Sequence, residues 1–295
     1  VPGIFWTTAI LAIVGMAVVA WFIPDPVDSR RRRDTQAVPA LIKDVLKDVR
    51  LLRLNFSIFV LHMNLTAVFV VLPFLLRDSL DVAPDRHWMV YGAVIVLAMI
   101  ATIPMIIYAE RKRKLKEVFA AAVALLVVAQ IGLWAGQHTL VWAMIALWLF
   151  FLAFNVLEAS LPSMVARTAP ADKKGTAMGI YSSSQFMGAF LGGAAGGGLY
   201  HVWGLSGVLL FGAGVTLLWL ILALKSENPR YLSSFTVTLA GPVTPEQSAI
   251  IAQRLGAVPG VAEAIVVWED SMAYLKVDHR TLDREALQQA SSIPA

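Results

Sequence analysis

The chain has 295 residues, 58% of them hydrophobic and only 15% charged, with a formal net charge of +4 and a pI near 9.4. A water-soluble domain of this length could not hide that much apolar surface, so an ordinary globular protein is excluded. Without a cysteine, disulfides, thiolate metal sites and cysteine nucleophiles are excluded as well.

Seven apolar stretches, at 2–23, 54–76, 87–109, 118–136, 139–163, 176–200 and 205–224, are each long enough to cross a bilayer. A lipid-facing backbone must satisfy its own hydrogen bonds, so these stretches are predicted to be helices. The connections after the first, third, fifth and seventh stretches carry Arg30–Arg33, Lys43, Lys47 and Arg50; Arg111–Lys114 and Lys116; Arg167, Lys173 and Lys174; and Lys225 and Arg230. The opposite connections hold only Arg77 and Arg86. By the positive-inside rule the basic side faces the cytoplasm, with the start of the chain outside and its end inside. Trp6, Trp21, Trp88, Trp134 and Trp142 near span ends suit an interfacial belt, or packing alone. Basic residues beside spans attract anionic head groups, so the lipid bilayer is the expected partner and nucleic acid is not.

Val1 is not a methionine, and apolar sequence follows at once with no basic leader or cleavage pattern, so the chain reads as a segment of a longer protein. A seven-helix retinal protein would need a lysine inside a span, and none of the seven has one. After Pro24-Asp25-Pro26 and an arginine run, Leu41, Ile42, Val45, Leu46, Val49 and Leu52 recur at helical spacing. They predict an amphipathic helix in a 24–52 linker, lying on the inner leaflet or bracing helix ends.

After Lys225 a linker over 225–233 leads to a small domain over 234–295. Alternation from Phe235 to Leu239 predicts a strand, Pro245 to Leu255 a helix, and Val258-Pro259-Gly260 a turn. Val261 to Trp268 and Met272 to Val277 predict a hairpin through Glu269-Asp270-Ser271, and Leu282 to Ala290 a last helix. Strand, helix, strand, strand, helix is the order of a ferredoxin-like unit lacking its final strand. Its first connection, Ala240 to Thr244, lacks a thiol, so docking, dimerising or small-ligand roles are expected before metal delivery, beside a passive appendage.

Charge inside hydrocarbon is expensive, which makes an intramembrane carboxylate a functional candidate. Glu158 is the clear case, with Asn155 one turn earlier and Pro162, which cannot donate to the Glu158 carbonyl, four residues later. It is either a proton or substrate group or a structural carboxylate paired near the basic end. His62, with Asn64 and Thr66 close by, titrates in the physiological range when unperturbed and is the second proton candidate, or a structural histidine. Gly188, Gly192 and Gly196 at four-residue spacing, after Tyr181 to Gln185, predict close approach of another helix. There is no lysine-containing phosphate loop, paired histidine metal motif or nucleophile-serine motif, so an enzyme is not expected.

Phe154 to Ala159, Leu161-Pro162-Ser163, Lys174 to Gly179, Tyr181 to Phe186 and Tyr108 to Lys114 together resemble the YajR group of the major facilitator superfamily. The resemblance runs the length of the chain. It implies an all-α polytopic membrane protein, the carboxyl-terminal half of the major facilitator fold, followed by a small α+β ferredoxin-like domain. The spans would correspond to helices six to twelve: residues 1–23 as helix six, 24–52 as the link between halves and 53–224 as the six-helix half. It further implies a proton-coupled exporter of small amphipathic or drug-like compounds in a bacterial inner membrane, with the tail in the cytoplasm. The proton gradient would drive it without a cofactor, and the amino-terminal half and a small-molecule substrate would be partners.

Under this resemblance Glu158 and His62 are proton-coupling candidates, and Asn64, Thr66, Asn155, Tyr181 and Gln185 are substrate-cavity candidates. Glu110 and Arg111 fit the acidic and basic positions of the family's cytoplasmic gating signature, while Ile106 and Arg113 stand where it has glycines. A membrane sensor that signals through its tail without transporting is the alternative.

Overall fold

The computed structural model describes residues 2–24, 37–226, 231–239 and 241–290. The arginine run, residues 227–230, Ala240 and residues 291–295 lie outside them. Two units separate, residues 1–32 and 33–295. The first contains one helix, α1 (Pro2–Phe22), which carries no charged residue and is apolar around its circumference, as a lipid-facing span requires.

In the second unit, a six-residue helix, α2 (Ile42–Lys47), precedes five long apolar helices: α3 (Val49–Phe74), α4 (His87–Arg111), α5 (Leu115–Ala135), α6 (Leu140–Thr168) and α7 (Lys174–Leu224). With α1, six helices of the described residues are long and apolar enough to cross a membrane. The seventh predicted span lies within α7. Gly204, at φ 62° and ψ −158°, breaks that helix, and only glycine adopts such a backbone cheaply.

Contacts on α3 show that the chain reverses there. Gly188, Gly192 and Gly196 meet Phe59, Met63 and Ala67 in ascending order, whereas Thr216 and Trp219 meet Asn64 and Ser57 in descending order. The two segments of α7 are antiparallel passes joined by one residue.

The predicted amphipathic helix departs from expectation. Asp48 is extended, at ψ 106°, and its carboxylate accepts the Arg50 backbone N–H at 2.8 Å, capping α3. Val49 and Leu52 therefore belong to the first membrane helix of the half, which begins at Val49 rather than at 53. What remains, α2, braces α7: Lys173 is paired with Asp44 at 2.9 Å and Thr176 accepts the Val38 N–H at 2.9 Å.

The tail domain follows its predicted order: β1 (Ser233–Thr238), α8 (Pro245–Gly256), β2 (Val261–Val267), β3 (Met272–Val277) and α9 (Arg284–Ala290). The sheet is antiparallel, with β3 between β1 and β2. Thus β1 and β2 run parallel on either side of β3, the split arrangement of a ferredoxin-like unit. Thr244 and Gln247 form a capping box at the start of α8. Every residue of β3 is buried. Ala273, Leu275 and Val277 pack under Ile251, Leu255 and Leu287, while Met272 and Tyr274 on the other face cluster with Ala171, from the connection after α6.

The glycines fix how close α3 and α7 come. A methyl at Gly192 would sit 2.2 Å from the Met63 carbonyl oxygen, and one at Gly188 2.1 Å from that of Phe59. Both obstacles are backbone, so the helices must part. Gly192→Ala is expected to lower the thermal unfolding midpoint in detergent, at a cost of roughly 2 kcal/mol or more. Gly197→Ala, which meets nothing within 4 Å, leaves the midpoint unchanged.

Candidate functional site

Three helices bring one polar group each to a common point. Gln185 on α7 approaches His62 on α3, Nε2 to Nε2, at 2.8 Å, and the same amide nitrogen donates to Glu158 Oε1 on α6 at 3.4 Å. Glu158 Oε2 lies 3.8 Å from His62 Nε2. An amide nitrogen only donates, so this arrangement requires a bare Nε2 on the imidazole. Phe154 packs edge-on against the ring, with centroids 5.6 Å apart. The His62 side chain is 13% exposed and that of Glu158 37%, so the histidine stands behind a carboxylate that reaches the surface of this half.

Of the other cavity candidates, Asn155 and Tyr181 each hold a buried donor, the Asn155 amide nitrogen and the Tyr181 hydroxyl, without a partner among the described residues. Thr66 turns back to the His62 carbonyl at 2.8 Å. Asn64 does not join the group. It is 1% exposed and donates to Thr216 Oγ1 at 3.1 Å, the same oxygen that accepts from Gln130 at 2.9 Å. The Thr216 hydroxyl in turn donates to the Gly212 carbonyl at 2.8 Å, so its capacity is filled. This knot of α3, α5 and α7 is helix-packing glue, with the Asn64 and Gln130 side-chain oxygens crowding Gly212 where a side chain would be.

At the basic end of the bundle, Glu110 on α4 accepts both of its bonds, at 2.9 and 2.8 Å, from Nη2 of Arg167, near the end of α6. Arg111, the other gating candidate, is exposed and makes no ion pair among the described residues. Arg113, at a position where the family signature has glycine, adopts φ 53°. Such a backbone costs an ordinary residue roughly 1–2 kcal/mol. Its guanidinium binds Asp278 of the tail domain at 3.0 Å and, like that of Arg167, lies over the Tyr231 ring, while the Tyr231 hydroxyl accepts the Leu115 N–H at 2.9 Å. From β3, Lys276 donates to the Ala166 carbonyl at 2.5 Å, satisfying a terminal carbonyl of α6 with a charge of favourable sign. The tail is docked on the bundle through these groups.

A family model for the Major Facilitator Superfamily matches residues 54–254, more than half of the chain. The chain belongs to the major facilitator superfamily. This superfamily match runs past the end of α7 into α8, while a second model, the YajR YAM domain, matches 239–291 and so leaves out β1. Among relatives, the inner membrane transport protein YajR of Escherichia coli (strain K12) is 39% identical over 288 residues, 98% of this chain and 63% of that protein. An uncharacterized transporter of Buchnera aphidicola subsp. Acyrthosiphon pisum is 31% identical over 64% of this chain and 49% of its own length. Another, from Buchnera aphidicola subsp. Schizaphis graminum, is 29% identical over 74% and 56%. The chain of this superfamily member thus spans about half to 63% of the relatives it matches.

Sequence reasoning passed over Gln130, Thr216, Arg167 as a partner of Glu110, and Lys276. The last had a signal, being a lysine inside a strand whose neighbours are all apolar or aromatic. It is 1% exposed, and burial, reinforced by the nearby Lys174 charge and opposed by Glu263, brings its pKa from 10.5 to about 8. An undocked tail keeps the ordinary value, so docking expels a proton between those two pH values. The burial penalty is fully present below about pH 8 and fades as pH rises to 10.5, a change of at most about 3 kcal/mol. The thermal midpoint of the wild type should therefore rise relative to that of Lys276→Met across this window and run parallel to it below. A constant difference would place the amine outside the junction.

Proposed function

We propose that this chain forms one half of a proton-coupled secondary transporter that exports small amphipathic or drug-like compounds by alternating access across a bacterial inner membrane. Its counterpart is a second six-helix half of the same transporter, the bilayer surrounds both, and the tail domain faces the cytoplasm. The observation that carries the reading is the His62–Gln185–Glu158 group, because it ties three helices through a bond that depends on a proton.

With Nε2 bare, the Gln185 amide bridges the imidazole and the carboxylate. A proton on Nε2 turns acceptor into donor, so the amide must rotate or withdraw, and Glu158 then loses its Gln185 donor and faces the imidazolium directly. Either state of the carboxylate alters the cost of leaving it at the surface of this half or burying it against the other, which biases the halves between inward and outward arrangements. In this mechanism α3 and α6, as first helices of their repeats, line the cavity, and Asn155 and Tyr181 offer their unpartnered donors to substrate. Glu110 and Arg167 close the basic end in one arrangement and separate in the other. The names of the relatives, an inner membrane transport protein and transporters, support the class of activity and the membrane.

The docked tail favours a second reading, a non-transporting sensor that reports occupancy through that domain. Flux separates the two. In proteoliposomes holding the complete protein and an internal pH dye, an amphipathic cationic dye should drive counter-movement of protons. Glu158→Gln should cut that rate by at least about tenfold, within the usual span of coupling energies, while dye binding persists. An unaltered rate in Glu158→Gln removes the carboxylate from the mechanism, and dye binding without flux in the wild type selects the sensor.

A further inference from the structure

Where the basic end of the bundle meets the tail there is a cavity of about 260 Å³, walled by α3, α6 and the sheet. At about 30 Å³ for each water of the liquid, it holds roughly eight, ample for a phosphate group and part of what carries it. Its wall includes four basic side chains, Arg50, Arg53, Arg167 and Lys276, against one acid, Glu263.

Two of the four cations are already matched. Arg50 is tied to Asp48 at 3.2 Å, and Arg167 to Glu110. Lys276 has only the carbonyls of Ala166 and Arg167 as hydrogen-bond partners among the described residues. Arg53, half-buried one turn into α3, has no hydrogen-bond or ion-pair partner for its guanidinium among the described residues. A partly desolvated guanidinium with an open planar fork beside a buried ammonium is costly when empty and well shaped for tetrahedral oxygens. The Ser57 hydroxyl, committed to the Arg53 carbonyl and the Trp219 indole, helps to fix this turn of α3.

We infer that the cavity between the membrane half and the tail binds a phosphate-bearing anion, gripped by Arg53 and Lys276 and thereby bridging the two parts. The phosphate belongs either to the head group of an anionic phospholipid or to a free phosphate in solution. The site lies at the end of the bundle, apart from His62 and Glu158, so it bears on how firmly the tail is held and stands whether or not transport is proton-coupled.

The test is thermal unfolding of the whole chain in dodecyl maltoside, titrated with phosphatidylglycerol against phosphatidylcholine in mixed micelles, and with inorganic phosphate against chloride at matched ionic strength. Phosphatidylglycerol or phosphate should raise the midpoint. Arg53→Gln should need at least about tenfold more of the same titrant for half the effect, the ordinary worth of one charge-assisted pair. Arg254→Gln, an exposed arginine on α8, should titrate as the wild type does. A response to phosphatidylglycerol alone assigns the head group; a response to inorganic phosphate assigns the free anion. No response to either, or the same half-effect in Arg53→Gln, overturns the site.

Discussion

The close approach of α3 and α7 sets the geometry on which the rest of the membrane half depends. Three glycines one helical turn apart let the α7 backbone rest on that of α3, at Phe59, Met63 and Ala67. Backbone contact of this kind leaves almost no freedom of register, because each glycine faces a fixed carbonyl or Cα. Gln185, one turn before Gly188, reaches along the seam to His62, one turn after Phe59. The candidate proton site thus adjoins the packing seam.

Polar groups inside the bundle divide into two kinds. Asn64, Thr216 and Gln130 are sealed among α3, α5 and α7, where the saturated Thr216 hydroxyl ties the three helices together. His62, Gln185 and Glu158 use the same vocabulary but leave a carboxylate at the surface, long contacts of 3.4 and 3.8 Å, and neighbouring donors unfilled. His62 and Glu158 can gain or lose a proton, whereas Asn64, Thr216 and Gln130 cannot, so only the first group responds to pH. Burial separates the two, and sequence position does not, since Asn64 is only two residues from His62.

Much of this was legible in the residues. Apolar length and flanking charge marked the spans, and the period-two blocks marked the tail. Four-residue glycine spacing marked a seam without naming its partner, because the facing backbone of α3 carries no pattern of its own. The boundary at Asp48 was hidden by an apolar periodicity that runs unbroken through the cap. Glu158 and His62 stood out as ionisable groups among apolar neighbours. Arg53 did not, since an arginine beside a span usually meets water, and Lys276 was marked only by its apolar strand neighbours; the one lines the cavity beneath the tail and the other is buried there.

With Gly204 as the single non-helical residue between them, the two passes of α7 cannot slide past one another independently. Any tilt of the first pass along its glycine track must be carried by the second to Trp219 and Ser57, close to the basic end. A displacement begun beside Gln185 would thus arrive, undiluted by loop flexibility, at the turn of α3 that holds Arg53.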